Sequence, residues 1–158
     1  MFDTVLIAGL GLMGGSMAKT IKARTLSRVL GWNRTRATAE QALADGSIDA
    51  IATEALYKEA DLVIIGLYPQ ATVDWLLENM SKMKKGCVIV DMVGVKQFMV
   101  DHLEQAALDA GVHYVGGHPM AGSEKTGYES STDHLLENAY YIITPTKKST
   151  PEQIDRIR

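Results

Sequence analysis

Short β-branched runs alternate with longer amphipathic stretches along the whole chain, and this alternation predicts an α/β fold with a doubly wound, mainly parallel sheet. Two further observations agree. Leu62-Val63-Ile64-Ile65 and Val88-Ile89-Val90 are continuous apolar runs, as expected of strands covered by helices on both faces. Asp45-Gly46, Lys85-Gly86 and Ala110-Gly111 each put a glycine where a helix should stop.

In chain order, strands are predicted at residues 4–8, 28–32, 62–67, 87–92, 113–115 and 140–144, with helices at 13–25, 35–45, 71–80 and 97–110. The stretch 47–60 carries a short strand near 50–52 and a helical turn before Asp61. Between residues 116 and 131 the periodicity lapses in a run rich in glycine, and a loop of that length inside a compact domain is usually functional. Thr150-Pro151 reads as an N-cap followed by proline at the first helical position. Residues 1–150 are therefore expected to form one domain, and residues 151–158 to open a linking helix.

Sixteen basic and 19 acidic residues give a net charge of −3, and 46% of the chain is hydrophobic. That is the profile of one soluble globular domain, and neither nucleic acid nor an anionic membrane is expected as a partner, since each calls for a basic face. A chain of this length buries roughly 70% of the surface it exposes when unfolded, enough for a core without disulfides. The lone Cys87 forms no intrachain bridge, and four His without a second Cys argue against a structural zinc cluster, so no metal is expected. The N-terminus lacks the pattern of a signal peptide, and nowhere do about 18 apolar residues run together. A cytoplasmic protein is expected.

Gly9-Leu10-Gly11-Leu12-Met13-Gly14 is G-x-G-x-x-G between an apolar strand and a helix, the context in which that motif binds a dinucleotide. The first glycine allows a tight turn, the second lets the backbone approach a pyrophosphate, and the third lets helix and strand pack closely. A P-loop is disfavoured, because Gly15-Ser16 stands where Lys-Ser/Thr would be needed. About 20 residues on, where an NAD site offers an acid to the ribose 2′-hydroxyl, stands Asn33. Arg34 and Arg36 are suited to pair with a 2′-phosphate and Thr35 to donate to it, so NADP is preferred over NAD. The alternative is that both arginines are solvated at a helix start. The cofactor site is expected to comprise Gly9, Gly11, Leu12, Met13, Gly14, Asn33, Arg34 and Thr35, with Leu67, Asp91 and Gly94 near the ends of later strands.

His118 lies just after a late strand, on the side where doubly wound sheets bind ligands. His102 falls in a helix, His113 at a strand start and His134 in a short polar helix, all read as structural or exposed. Oxidation of an alcohol requires removal of the hydroxyl proton as hydride leaves, and a neutral imidazole suits that task.

Gly9-x-Gly11-Leu12-Met13-Gly14-Gly15-Ser16 together with Gly117-His118-Pro119-Met120-Ala121-Gly122-Ser123-Glu124 resembles the prephenate dehydrogenase family, with its close relative arogenate dehydrogenase. The glycine motif is shared with many oxidoreductases, whereas G-H-P-M-A-G-S-E is far more specific. The resemblance implies a Rossmann-type NAD(P)-binding domain and oxidative decarboxylation: the C4 hydroxyl of a cyclohexadiene is oxidised, carbon dioxide leaves, and the ring becomes aromatic. It further implies that His118 polarises that hydroxyl, that Ser123 contacts substrate, and that Glu124 gates the pocket.

Two departures from the family matter. Many members carry serine at the position of Gly94, where it would hydrogen-bond the histidine or the substrate, so His118 is left to be oriented by another group. Lys96 is placed either to approach substrate or cofactor or as a solvated helix-start lysine, and Asp91 reads as a structural or cofactor-side acid. In the family a helical domain follows, forms a homodimer and supplies basic residues for the substrate carboxylates, so the chain reads as the cofactor domain of a larger enzyme. Prephenate and arogenate are not separated by these residues. A β-hydroxyacid dehydrogenase, which shares an Asn-Arg-Thr after the second strand, and a non-catalytic NADP-binding module are the other readings.

Overall fold

The computed structural model describes residues 1–158. Strands β1 (Thr4–Ala8), β2 (Arg28–Trp32), β3 (Ala50–Ile51), β4 (Leu62–Ile65), β5 (Val88–Asp91), β6 (His113–Pro119) and β7 (Tyr141–Thr144) form one sheet in the order β3-β2-β1-β4-β5-β6-β7. All neighbours pair in parallel except β6 and β7, which are antiparallel. The fold is thus the expected doubly wound α/β sheet, with one antiparallel edge strand added.

Alternation along β1 explains the layering. Leu6 and Ala8 point to one face, into a cluster with Val63, Ile65, Ile89 and the helices α4 (Pro69–Asn79) and α5 (Lys96–Ala110). Val5 and Ile7 point to the other, with Val29, Ile64, Val88 and the helices α1 (Leu12–Arg24) and α2 (Arg36–Ala44). Because both faces are covered, the central strands are wholly buried and their sequences are apolar except for Asp91 at the end of β5. The short helix α3 (Glu54–Tyr57) follows β3, and α6 (Pro151–Ile157) opens at Thr150 with a capping box to Gln153.

Several boundaries differ from expectation. Helix α4 starts two residues early because Pro69 fits the first turn, where its missing N–H is not needed. Gly86 caps no helix; it lies in the turn into β5, beyond a 3-10 turn at Met80–Lys82. His134 sits in a hydrogen-bonded turn, not a helix.

The largest difference concerns residues 116–119, expected in a loop. They continue β6, because β7 supplies antiparallel partners: Gly116 pairs with Thr144, Gly117 with Ile143, His118 with Ile142 and Pro119 with Tyr141. Gly117 serves close approach here, since a Cβ on it would collide with the Tyr141 phenol. His118 is therefore carried by a sheet strand, not by a loop.

Candidate functional site

The sheet order reverses between β1 and β4, and ligands of such folds bind in the crevice beyond the carboxyl ends of the strands at that point. A cleft of about 750 Å³ opens there, within the range of small-molecule and cofactor sites. Of the residues expected to bind cofactor, Gly9, Gly11, Leu12, Met13, Asn33, Arg34, Leu67 and Gly94 line it, whereas Gly14, Thr35 and Asp91 do not.

The glycine-rich turn has the geometry its spacing implies. Gly9 has φ +96°, and a Cβ there would lie 2.7 Å from the Gly66 carbonyl oxygen. A Cβ on Gly14 would collide with the Gly9 carbonyl, so Gly14 packs the helix against the turn even though it does not face the cleft. Around Gly11 there is nothing within 4 Å of a built Cβ, which leaves the backbone open to a ligand. Helix α1 begins at Leu12 with no side-chain cap and no acid in its first turn, so its leading N–H groups and dipole favour an anion.

Asn33 ties the second strand to this turn. Its Oδ1 accepts from the Leu10 N–H at 2.8 Å and its Nδ2 donates to the Thr35 carbonyl at 3.0 Å. Arg34 enters the cleft, Thr35 is the N-cap residue of α2, and Arg36 pairs with Glu40 at 3.1 Å on an exposed helix face. Arg34 and Lys125 are the cations of the lining and no acid accompanies them, so the cleft attracts negative charge.

His118 does not itself line the cleft but contacts the segment after β5 that does. Its Nδ1 lies 3.1 Å from the Met92 carbonyl oxygen, and a Cβ on Gly94 would stand 3.9 Å from its Cε1. The Met92 carbonyl thus orients the ring. Asp91 is fully buried and accepts from the Val93 N–H at 2.9 Å, from the Tyr114 hydroxyl and from the Lys96 ammonium. It faces this network and not the cleft. Lys96 is neither solvated nor in the cleft: Gly116 leaves room for its stem, and its ammonium pairs with Asp91. Burial, with the Asp91 charge adding to it, pushes the Tyr114 and Tyr141 hydroxyls above the ordinary phenol range, so both remain neutral donors.

Ser123 and Glu124 are exposed and lie outside the cleft lining, and the Ser123 hydroxyl oxygen accepts from the Lys125 N–H at 3.1 Å. The same loop instead brings Lys125, Thr126 and Gly127 to the cleft, because Tyr128 anchors it on α1 against Gly15. Those three were not expected, and neither were Gly66, Tyr68, Pro69, Ala71, Met92, Val93 and Val95. The signal for the latter seven was their place just beyond β4 and β5; for the loop residues no local pattern pointed to the cleft.

The sequence profile described as prephenate dehydrogenase, nucleotide-binding domain, matches residues 17–158. Prephenate dehydrogenase of Bacillus subtilis is 38% identical over 162 residues, covering 100% of this chain and 43% of that protein. The structure of prephenate dehydrogenase from A. aeolicus in complex with hydroxyphenyl propionate and NAD+ aligns with a TM-score of 0.89 at 29% identity, covering 99% of this chain and 55% of that one. Synechocystis arogenate dehydrogenase aligns with a TM-score of 0.86 at 26% identity, covering 98% and 54%. The chain spans about half the length of these relatives, or less.

Proposed function

Since the chain belongs to the prephenate dehydrogenase family, as its nucleotide-binding domain, we propose that it binds NADP in preference to NAD and carries the base, His118, for oxidative decarboxylation of prephenate to 4-hydroxyphenylpyruvate. The observation that carries this reading is the juxtaposition of an open glycine turn, an uncapped α1 N-terminus and an imidazole held beside Gly94. The residues present fit a dinucleotide: Gly11 leaves its backbone open to a pyrophosphate, and Arg34 lines the same cleft as a cation suited to an adenosine 2′-phosphate. Gly9, Gly11, Leu12, Met13, Asn33, Arg34, Leu67 and Gly94 would hold it directly, with Gly14 shaping the turn and Thr35 adding a hydroxyl. When bound, the nicotinamide supplies the acceptor for hydride.

His118 would accept the C4 hydroxyl proton at Nε2, while the substrate loses its carboxylate as carbon dioxide and becomes aromatic. Asp91 acts through structure in this reading and not as a base. Ser123 and Glu124 are proposed substrate-side residues of the same loop, at its exposed end. Residues 1–150 would be the dinucleotide-binding unit and 151–158 the start of a link to a helical domain, which would grip the carboxylates and form a homodimer; that the chain covers 43% of the Bacillus protein supports only the further length in that relative. Arogenate remains the second substrate reading, favoured by the similarity to the Synechocystis enzyme.

In the full-length protein, His118→Asn should cut prephenate-dependent NADPH formation by roughly 10²–10⁴-fold, the usual worth of a general base, while calorimetry shows NADP binding retained. Undiminished turnover would remove His118 from the chemistry.

A further inference from the structure

The peptide unit between Met92 and Val93 has a partner at each end. Its N–H donates to the Asp91 carboxylate at 2.9 Å, and its carbonyl, 3.1 Å from His118 Nδ1, can only accept. Nδ1 must therefore carry the proton, and in the neutral ring the lone pair is left on Nε2. A carboxylate that accepts from a peptide N–H polarises that peptide and makes its carbonyl a stronger acceptor. Resting on the reading of His118 as the base, we propose that Asp91 is a positioning residue that acts on His118 through the Met92–Val93 peptide, a carboxylate–peptide–imidazole relay that fixes the Nδ1–H tautomer and presents Nε2 to the substrate hydroxyl.

The surroundings of Asp91 are built to hold that relay still. The carboxylate is fully buried, with the Lys96 ammonium and the Tyr114 hydroxyl as its other donors. A buried carboxylate is retained only with such partners. The Tyr141 hydroxyl donates to the Asp91 carbonyl at 2.9 Å, and the Met92 N–H donates to the Ile65 carbonyl at 3.2 Å, so the backbone on the β5 side is pinned too. Two glycines make room for these donors: a Cβ on Gly116 would lie 3.1 Å from Lys96 Cδ, and one on Gly117 would strike the Tyr141 phenol. The glycine pair before His118 thus admits the supports of the histidine. No proton crosses the peptide; the relay is electrostatic and geometric, the task that a carboxylate bonded directly to imidazole performs in hydrolase triads.

The test is the tautomer of His118, read by long-range ¹⁵N–¹H correlation on the chain with the ring neutral and the signal assigned by His118→Asn. The wild-type protein should show Nδ1–H alone; Nε2–H, or a mixture, overturns the relay. The paired variant Asp91→Asn/Lys96→Met, which removes both charges together, should lose the single-tautomer signature and shift the Nδ1–H resonance upfield. Tyr141→Phe, which spares the ring packing, should move both in the same direction to a smaller extent, and it decides the matter if the paired variant does not fold. An unchanged tautomer and resonance in the folded variants overturns the role of Asp91. In the full-length protein the paired variant should lower kcat about tenfold or more with the KM for NADP unchanged. Tautomer and turnover separate two failures: a lost tautomer with His118→Asn still active refutes the base, and an unmoved tautomer with His118→Asn inactive refutes the relay.

Discussion

Asn33 uses both ends of its amide on backbone, accepting from Leu10 and donating to Thr35, and in doing so keeps a carboxylate away from the place where a ribose 2′-substituent would lie. An aspartate could still accept from Leu10 but would add a negative charge next to a 2′-phosphate. Asn33→Asp should therefore weaken NADP binding about tenfold or more and leave NAD binding level or improved, since like charges a few ångströms apart cost ~1 kcal/mol or more even in high dielectric. Titration calorimetry with both dinucleotides checks this. An unchanged NADP affinity would mean that Arg34 meets no phosphate there. The position of Asn33 was legible from the spacing to the glycines, but its double bond to the backbone was not, because residues 10 and 33 meet only when β1 and β2 pair.

At the scale of elements, β6 shows what a local reading misses. Its second half, Gly116-Gly117-His118-Pro119, has the composition of a loop, yet the antiparallel ladder with β7 makes it a strand. Glycine is needed at 117 because the Tyr141 ring occupies the space of a side chain. Gly117→Ala should displace that ring, break its bond to the Asp91 carbonyl and cost about 1–3 kcal/mol, the usual price of overpacking. Urea unfolding measures the loss, and a stability unchanged from wild type would show that Tyr141 moves aside freely. The segment after His118 is held at its far end by a second clamp: the Tyr128 hydroxyl donates to Asp45 and lies 2.7 Å from the Ser47 hydroxyl, while Lys19 stacks over its ring. Burial alone would raise the Asp45 carboxyl, but the bonds from Ser47 and Tyr128 outweigh it and hold the group below the ordinary carboxylate value. This clamp, linking residues 83 apart in sequence, is what turns Lys125 and Thr126 toward the cleft.

For the molecule as a whole, the Cys87 thiol and four of the tyrosine hydroxyls share one sign of pH dependence. Burial, reinforced by the Asp61 charge, pushes the Cys87 thiol up from 9.0 to about 12. Burial likewise raises Tyr57 and Tyr128 from 10.0 to about 12, and Tyr114 and Tyr141 further. A folded-state pKa above the unfolded value contributes stability that is complete below the unfolded value and is lost as pH rises through the folded one. The urea midpoint should therefore begin to fall near pH 9, where Cys87 of the unfolded chain ionises, and fall faster above pH 10 as the tyrosines join. Cys87→Ala should delay the onset toward the tyrosine range. A midpoint flat up to about pH 11 would show that these groups gain no proton on folding.

No helix of the fold is long and apolar enough to cross a membrane, in keeping with the even mixture of charges along the chain. What the sequence determined by itself was whatever repeats over a few residues: the apolar runs of β4 and β5, the order of strands and helices, and the glycine turn between β1 and α1. Those patterns are local because backbone periodicity and turn stereochemistry act between near neighbours. Only the tertiary structure decided that Gly117 and His118 belong to a strand, that Asp91 and Lys96 pair in the interior, and that Lys125 faces the cleft where Ser123 and Glu124 do not. Each of these depends on which distant segment lies alongside, even the Asp91–Lys96 pair, beside which β6 supplies the Tyr114 hydroxyl and the space at Gly116, and a hydrogen bond or an excluded volume between residues far apart in the chain leaves no period in the sequence.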